Sequence, residues 1–259
     1  MIGVFGGSGF YDFLDDPQQV EVETPYGAPS APLAIGTFQG VEVAFLPRHG
    51  ADHQFPAHKV PFRANAWAMK EVGVDRVIGP CAVGSLQMDI APGHLVVSDQ
   101  QVDRSWGRDG TFFDGPETRH LAFADPYCSE LRPLAVTACR AAGAETHDGG
   151  TVVVIQGPRF STRAESADYA GSGWHTINMT QAPEAQLIRE LEICYVNIAV
   201  VTDYDTGVEG EIEPVTHAAV LERFNATLGT LRQALAGLIP AAATTPRQCQ
   251  CATGMQAAG

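Results

Sequence analysis

The chain has 259 residues, 45% of them hydrophobic, and its 30 acidic and 16 basic residues give a formal net charge of -14. This length and apolar content suit one large domain. The charge argues against a DNA or RNA partner, because binding to a phosphate backbone depends on clustered Lys and Arg. No run approaches the roughly 18 apolar residues of a membrane span, and Met1 is not followed by the charged start of a signal peptide. We therefore expect a cytoplasmic protein with no membrane partner.

The first motif follows a short apolar run. Residues 1 to 5 predict a strand, which leads into Gly6-Gly7-Ser8-Gly9. In such a turn, backbone N–H groups and the Ser8 hydroxyl can approach an anion. A tight structural turn is the alternative interpretation, and the spacing matches neither a Walker loop nor G-x-G-x-x-G.

A second candidate anion site follows a predicted hairpin of residues 33–38 and 41–46. Pro47-Arg48-His49-Gly50 comes directly after it. Arginine offers a fork of donors that suits phosphate, and a neighbouring histidine adds another. Although His53 and His58 lie close in sequence, no acidic ligand or helical i, i+4 pair accompanies them, so we expect them to order the loop and predict no metal site.

Strands and helices then alternate along the chain. Strands are predicted to begin at 76–78 and to span 95–98, 151–156, 176–177 and 195–202. Helices are predicted at 60–72, 130–143, 162–170, 183–191 and 217–238. This order predicts an α/β fold: one sandwich domain, residues 1–240, with a mixed, mostly parallel sheet between helices. The ligand site of such a sheet lies at the carboxyl ends of the strands.

Residues 241–259 lack a periodic apolar face and are expected to form a flexible tail. The tail contains the pair Cys249 and Cys251, and we expect no zinc site there, because two cysteines without further ligands are too few. The other four cysteines are widely spread in apolar surroundings and are expected to be buried thiols.

Polar residues end two of the predicted strands. Asn178-Met179-Thr180 precedes a helix, so the Thr180 hydroxyl can either face an anion or sugar or simply cap the helix. Asp203 and Asp205 end the strand 195–202, and their spacing points both carboxylates to one side of an extended chain. They could be surface acids, or one could protonate a poor leaving group such as a purine.

Taken together, these motifs resemble a known family, the 5'-methylthioadenosine phosphorylases within the trimeric purine nucleoside phosphorylases. The resemblance covers roughly residues 1 to 238. Its motifs are Gly-Gly-Ser-Gly-Phe, Pro-Arg-His-Gly, Ala82-Val83-Gly84-Ser85-Leu86, Gly157-Pro-Arg-Phe-Ser-Thr-Arg-Ala-Glu-Ser166, Asn178-Met-Thr180 and Thr202-Asp-Tyr-Asp205.

The resemblance implies specific roles. It places phosphate, as co-substrate, among Ser8, Arg48, His49, Cys81, Ala82 and Thr180. It places the nucleoside among Met179, Asn178, Phe160, Asp203, Asp205 and Val220. It implies a homotrimer in which His120 reaches the neighbouring subunit's site, and it implies no cofactor.

Two departures bear on specificity. Cys81 stands where family members often have Thr or Asn, so a side-chain hydrogen bond to phosphate is weakened there. His217 stands where methylthio-specific members usually carry an apolar residue, and relatives that prefer a 5'-hydroxyl have a histidine in this region.

Ser161 replaces the Glu of 6-oxopurine relatives, which together with Asp203 favours a 6-aminopurine.

The leading expectation is phosphorolysis of 5'-methylthioadenosine to adenine and 5-methylthioribose 1-phosphate. Phosphorolysis of adenosine or a 6-oxopurine nucleoside stays open. A nucleosidase that uses water and a purine-binding protein without catalysis are further alternatives, although a nucleosidase has no need of the Arg48-His49 cluster.

Overall fold

The computed structural model describes residues 1–6, 14–206 and 216–255, except for the side chain of His217. Its strands are β1 (Ile2–Gly6), β2 (Asp15–Val20), β3 (Leu33–Phe38), β4 (Val41–Pro47), β5 (Arg76–Ser85), β6 (Leu95–Val97), β7 (Gln100–Arg104), β8 (Thr146–Asp148), β9 (Thr151–Ile155), β10 (Thr176–Asn178) and β11 (Cys194–Tyr204). Its α-helices are α1 (Phe62–Glu71), α2 (Leu131–Ala141), α3 (Arg163–Gly171), α4 (Gln181–Glu190) and α5 (His217–Thr244). Of these described helices, none is long and apolar enough to cross a membrane.

The described strands form one mixed sheet centred on β5. Its main path runs β2-β3-β4-β1-β5-β10-β9-β7, and β11 branches from β5 to pair with β6, which pairs with β8. The central pairs β1·β4, β1·β5 and β11·β5 are parallel, whereas β10 runs antiparallel to β5. The α/β prediction with a mixed, mostly parallel sheet is confirmed.

Helices cover both faces of the sheet because its central strands are apolar on both sides. On β11, Val196, Ile198 and Val200 pack with α2 and α5 on one face. Tyr195 is fully buried on the other face, in the cluster that includes α1 and α4. Two-sided burial is typical of parallel strands. The rigid centre fixes the strand ends that carry the predicted motifs.

The central strand β5 begins at Arg76, as predicted, and continues through Gly79-Pro80 to Ser85, an end that was not predicted. Gly79 is required there, because a Cβ atom would collide with the Tyr195 hydroxyl. The edge strand β2 was missed because its residues are polar and almost all exposed, without the apolar alternation that marks a strand.

The expected flexible tail is wrong for residues 241–255. Helix α5 continues through Pro240 to Thr244, and Ala242, Cys251 and Met255 are buried. The buried Arg76 explains the continuation, because its guanidinium donates to the carbonyls of Ala242 and Thr245 at the end of the helix. Carbonyls there lack helical partners and are stabilised by a cation.

Candidate active site

A cavity of about 540 Å³ opens at the carboxyl ends of β4, β5, β10 and β11. This is where an α/β sheet binds ligands. The predicted site residues that line it are Arg48, His49, Cys81, Ala82, Phe160, Ser161, Asn178, Met179, Thr180, Asp203, Asp205 and Val220. Residues that are far apart in sequence are thus brought to one site.

Arg48 enters the cavity wall from the end of β4 as half of a buried ion pair. Its Nε and one terminal nitrogen donate to the Glu184 carboxylate at 2.5 and 2.8 Å, and the other terminal nitrogen donates to the Pro80 carbonyl at 3.1 Å. Burial lowers the pKa of Arg48, but the Glu184 carboxylate more than offsets this and leaves it raised. Three of the five guanidinium N–H donors are engaged, so two are left for an anion.

This pairing with Glu184 was not predicted from the sequence, which indicated only that the Arg48 donors suit phosphate. Both side chains of the pair are almost fully buried, at 4% and 3% exposure. Tyr195 also donates to Glu184, at 2.6 Å. Glu184 therefore orients the guanidinium and neutralises its charge. An anion that binds at this end of the cavity therefore meets an oriented Arg48–Glu184 ion pair whose net charge is zero.

His49 is held beside Arg48 by the following loop. Its Nδ1 lies 2.8 Å from the Phe55 carbonyl oxygen, and its ring stacks on His53 with centroids 4.6 Å apart. Burial, with the charge of Arg48 as the second cause, lowers the pKa of His49 to about 4. At neutral pH the ring is neutral. Since Nδ1 can only donate to a carbonyl, the proton sits on Nδ1 and Nε2 is an acceptor.

Thr180 completes this end of the cavity at the N-terminus of α4. It is the N-cap residue, yet its side chain makes no capping hydrogen bond. The buried hydroxyl is therefore available to a ligand. The chain is extended at Ala182, so the regular part of α4 begins only at Pro183. The preceding Met179 is positioned by Arg108, which donates to its carbonyl at 2.8 Å.

Asp203 lies at the end of β11 and accepts a 2.7 Å hydrogen bond from Thr202. Burial raises the pKa of Asp203 to about 6, and the neighbouring Asp205 adds to the rise. Gly84 of β5 makes room for it, since a Cβ there would lie 3.0 Å from the Asp203 carboxylate. A carboxyl with this pKa can hold or release a proton near neutral pH.

Asp205 is more deeply buried and is fixed by its surroundings. Its carboxylate accepts from the Ser166 hydroxyl, and its backbone N–H donates to Ser85 at 2.8 Å. Burial raises the pKa of Asp205. The Ser161 hydroxyl is close enough to lower that pKa, but it makes no hydrogen bond among the residues described. It is a buried polar group of the cavity wall that a ligand can satisfy.

The Cys81 side chain is held by hydrogen bonds within the protein. Its sulphur accepts from Asn178 at 3.3 Å and from Asn197 at 3.1 Å. Burial raises its pKa, so the group is a neutral thiol. The side chain orients Asn178, and any phosphate contact at residues 81 and 82 falls to the backbone.

The opposite wall is formed by the start of α5. Val220, Leu221, Phe224 and Asn225 line the cavity there. Three of these four are apolar and lie on successive turns of one helix face. Leu221 is 42% exposed, so this wall is open to solvent on its outer side.

Three predicted residues are not placed in this cavity. Ser8 lies outside the described residues, and the side chain of His217 is likewise not described. His120 is exposed on the segment between β7 and α2 and does not line the cavity. Any contact it makes with such a site has to be with that of a second chain.

Sequence reasoning missed the buried network behind Arg48. Besides Glu184 and Tyr195 it includes Gln181, which donates to the Tyr195 hydroxyl at 3.0 Å, and Tyr127, which donates to Gln181 at 3.1 Å. The available signal was Glu184, an acidic residue in the first turn of the helix that follows Thr180. A buried arginine requires a carboxylate partner, but the sequence contains many acidic residues and does not show which of them pairs with Arg48.

Comparison with known proteins agrees with this geometry. Residues 1–240 match the family described as the phosphorylase superfamily. A purine nucleoside phosphorylase of Streptomyces coelicolor is 48% identical, covering 98% of this chain and 94% of that protein. An S-methyl-5'-thioadenosine phosphorylase of Mycolicibacterium smegmatis is 58% identical, with coverages of 81% and 79%.

Solved structures give the same result. A methylthioadenosine phosphorylase from an Antarctic soil metagenomic library superposes with a TM-score of 0.94 at 36% identity, covering 99% of this chain and 91% of that one. A methylthioadenosine phosphorylase from Schistosoma mansoni, solved with adenine, superposes with a TM-score of 0.90 at 35% identity, with coverages of 95% and 92%. The chain therefore belongs to the phosphorylase superfamily.

Proposed function

We propose that this protein is a pentosyltransferase that splits S-methyl-5'-thioadenosine with inorganic phosphate, giving adenine and 5-methylthioribose 1-phosphate. The observation that carries the proposal is one cavity with an anion-binding end at Arg48 and Thr180 and an acid of pKa about 6, Asp203, elsewhere in its wall. The names of the similar proteins support the same reaction.

The proposed reaction needs few groups. A phosphate oxygen attacks C1' while the bond from C1' to the purine nitrogen breaks, and the purine leaves with the bonding electrons. Arg48 and Thr180 hold the phosphate in position. Asp203 donates its proton to N7, so the base does not leave as a free anion. No step requires a cofactor or a metal, and we place the reaction in the cytoplasm.

The Asp203 carboxyl also supports a 6-aminopurine as the base of the substrate. Once ionised, the Asp203 carboxylate accepts from an exocyclic amine, whereas a 6-oxo group would set acceptor against acceptor. The Ser161 hydroxyl, which has no hydrogen-bond partner in the described part of the chain, lies in the same wall. We infer that adenine nucleosides are preferred over those of hypoxanthine.

The apolar start of α5 supports the methylthio group over a 5'-hydroxyl. Adenosine is the second candidate substrate, favoured by the 48% identity to a protein named purine nucleoside phosphorylase and by His217 in the sequence. The test is a panel of methylthioadenosine, adenosine and inosine in phosphate. Methylthioadenosine should give the highest kcat/KM, and equal or higher values for adenosine would move the assignment to a general adenosine phosphorylase.

Val220 provides a test of the apolar wall. Replacing Val220 with Ser should weaken transition-state binding of methylthioadenosine by about 1–3 kcal/mol and so lower kcat/KM roughly 5- to 150-fold, because an apolar contact is replaced by a hydroxyl. The effect on adenosine should be smaller. Val220→Ile, which keeps the wall apolar, is the matched control. Equal losses for both substrates in Val220→Ser would place the methylthio group elsewhere.

The pKa of Asp203 predicts the pH dependence. If the protonated acid of the free enzyme is required, kcat/KM should fall about tenfold per pH unit above about pH 6, as the fraction of protonated Asp203 declines. The profile should be measured at a fixed concentration of the phosphate dianion, so that titration of phosphate itself does not contribute. A flat profile between pH 6 and 8.5 would contradict this role.

We also propose a homotrimer in which His120 reaches the site of the neighbouring subunit. Its support is the family resemblance, together with the exposure of His120 and of Trp106, 72% exposed, on the same segment between β7 and α2. Sedimentation analysis should give three chains per particle. His120→Ala should raise the KM for the nucleoside without changing that mass, and a monomer with full activity would reject the proposal.

A further inference from the structure

Four cysteines meet at the end of β11 opposite the cavity. The Sγ atoms of Cys128, Cys194, Cys249 and Cys251 all lie within 4.8 Å of one another. Cys194 begins β11, and Asp203 lies nine residues further along it. At about 3.3 Å per residue the cluster is therefore roughly 30 Å from that carboxyl, so it belongs to a separate site.

The backbone around these residues is well fixed. The Cys128 N–H donates to Tyr195 at 2.8 Å, and the Cys194 N–H donates to Asp75 at 3.0 Å. The chain next to Cys249 is tied to the body of the protein because the Gln248 N–H donates to the Glu130 carboxylate at 3.0 Å. Cys251 sits in a short 3-10 helix (Gln250–Thr253) and is 3% exposed. Three separate segments thus present four sulphurs to one point.

Two arginines without an ion-pair partner among the described residues adjoin the cluster. Arg247 is two residues before Cys249, is partly exposed, and donates to the Glu192 carbonyl. Arg189 is 6% exposed, and the Nε atoms of both arginines have no hydrogen-bond partner in the described part of the chain.

A tetrathiolate complex with a divalent cation carries a net charge of -2, so a guanidinium group beside it is favourable.

We propose that Cys128, Cys194, Cys249 and Cys251 bind one structural zinc ion. Binding converts Zn²⁺ and four thiols into a tetrathiolate complex with a net charge of -2 and releases four protons. A tetrahedral site with Zn–S bonds of about 2.3 Å places its sulphurs about 3.8 Å apart. The spacing of the thiols fits this, with Cys194 and Cys249 at 3.4 Å. Because all four positions are filled by protein, the site is closed and takes no part in the phosphorylase reaction.

The direct test is metal analysis of the full chain expressed with zinc in the medium. About one zinc per chain should be found after gel filtration. When an organomercurial is added to block the thiols, the zinc should be released, and a zinc-binding dye detects it. Replacing zinc with Co²⁺ should give the visible absorption of a tetrahedral cobalt thiolate. This spectrum does not depend on activity.

Cysteine variants test which residues bind the metal. Cys251→Ser and Cys249→Ser should each reduce the zinc content several-fold and lower Tm, while kcat measured well below Tm stays near that of the wild type. Cys139→Ser is the matched control, because Cys139 is a fully buried thiol outside the cluster. It should keep the full zinc content even if it lowers Tm.

Other outcomes would overturn the proposal. Mass spectrometry under non-reducing conditions that shows the four cysteines as two disulfides, with no zinc present, would replace the metal by covalent bonds. Four free thiols without zinc, or an unchanged zinc content in both Cys251→Ser and Cys249→Ser, would equally reject the site. Since the wild-type analysis needs no variant, a variant that fails to fold leaves the test intact.

Discussion

Replacing Asp203 with Asn should lower turnover of the nucleoside roughly 10²–10⁴-fold, the usual contribution of one general acid. The amide cannot protonate the departing purine, but it fits the same space beside Gly84. It can donate to a 6-oxo group, so the loss should be smaller for inosine than for adenine nucleosides. Steady-state kinetics with both substrates measures this. Wild-type turnover in Asp203→Asn would remove the acid role.

The same substitution should leave the fold intact and make it more stable. The pKa of Asp203 is about 6 in the folded protein, above its ordinary value of 3.8, so the folded state binds the proton more tightly than the unfolded state. Stability is therefore lost as pH rises from about 4 through 6, and at pH 7 the ionised group costs up to about 3 kcal/mol. Asp203→Asn should raise Tm at pH 7. Asp148→Asn, which alters an exposed ion pair with Arg132, is the control and should change neither turnover nor Tm strongly.

Replacing Arg48 with Ala should have two effects of separate origin. It should raise the phosphate KM and lower turnover, because a charge-assisted contact to the attacking phosphate is lost. It should also destabilise the protein by about 3–5 kcal/mol, because the Glu184 carboxylate stays buried without its partner.

A double variant separates these effects. Arg48→Ala combined with Glu184→Gln removes the uncompensated charge, so stability should recover in part while the defect toward phosphate persists. Glu184→Gln alone keeps a hydrogen-bond acceptor for Arg48 and serves as the control. A wild-type phosphate KM in the double variant would show that Arg48 only supports the fold.

The alternation of strands and helices was predictable because the buried elements carry clear apolar periodicity. The bounds of β3 and of α3 differ from the predicted ones by at most one residue. Two extensions were not predicted: β5 continues through Pro80, whose carbonyl accepts from Arg48, and α5 continues through Pro240. At both prolines tertiary hydrogen bonds outweigh the local tendency of proline to end an element.

The grouping of Arg48 and Asp203 around one cavity was predictable, because they lie at the ends of strands of one sheet. The electrostatics of that cavity were not predictable. The neutralisation of Arg48 by Glu184 depends on the packing of α4 and has no local sequence pattern. The four-cysteine cluster was missed for the same reason, because Cys128 and Cys194 become neighbours of the C-x-C pair only in the folded chain.

The most direct test of the account is the fate of phosphate during the reaction with methylthioadenosine. The enzyme is incubated with ¹⁸O-labelled phosphate, and the sugar product is analysed by mass spectrometry. We expect 5-methylthioribose 1-phosphate that retains every labelled oxygen, formed in equal amount to adenine, with no adenine released when phosphate is omitted. Release of adenine at the same rate without phosphate, with unphosphorylated methylthioribose as the product, would contradict the account and identify a hydrolase.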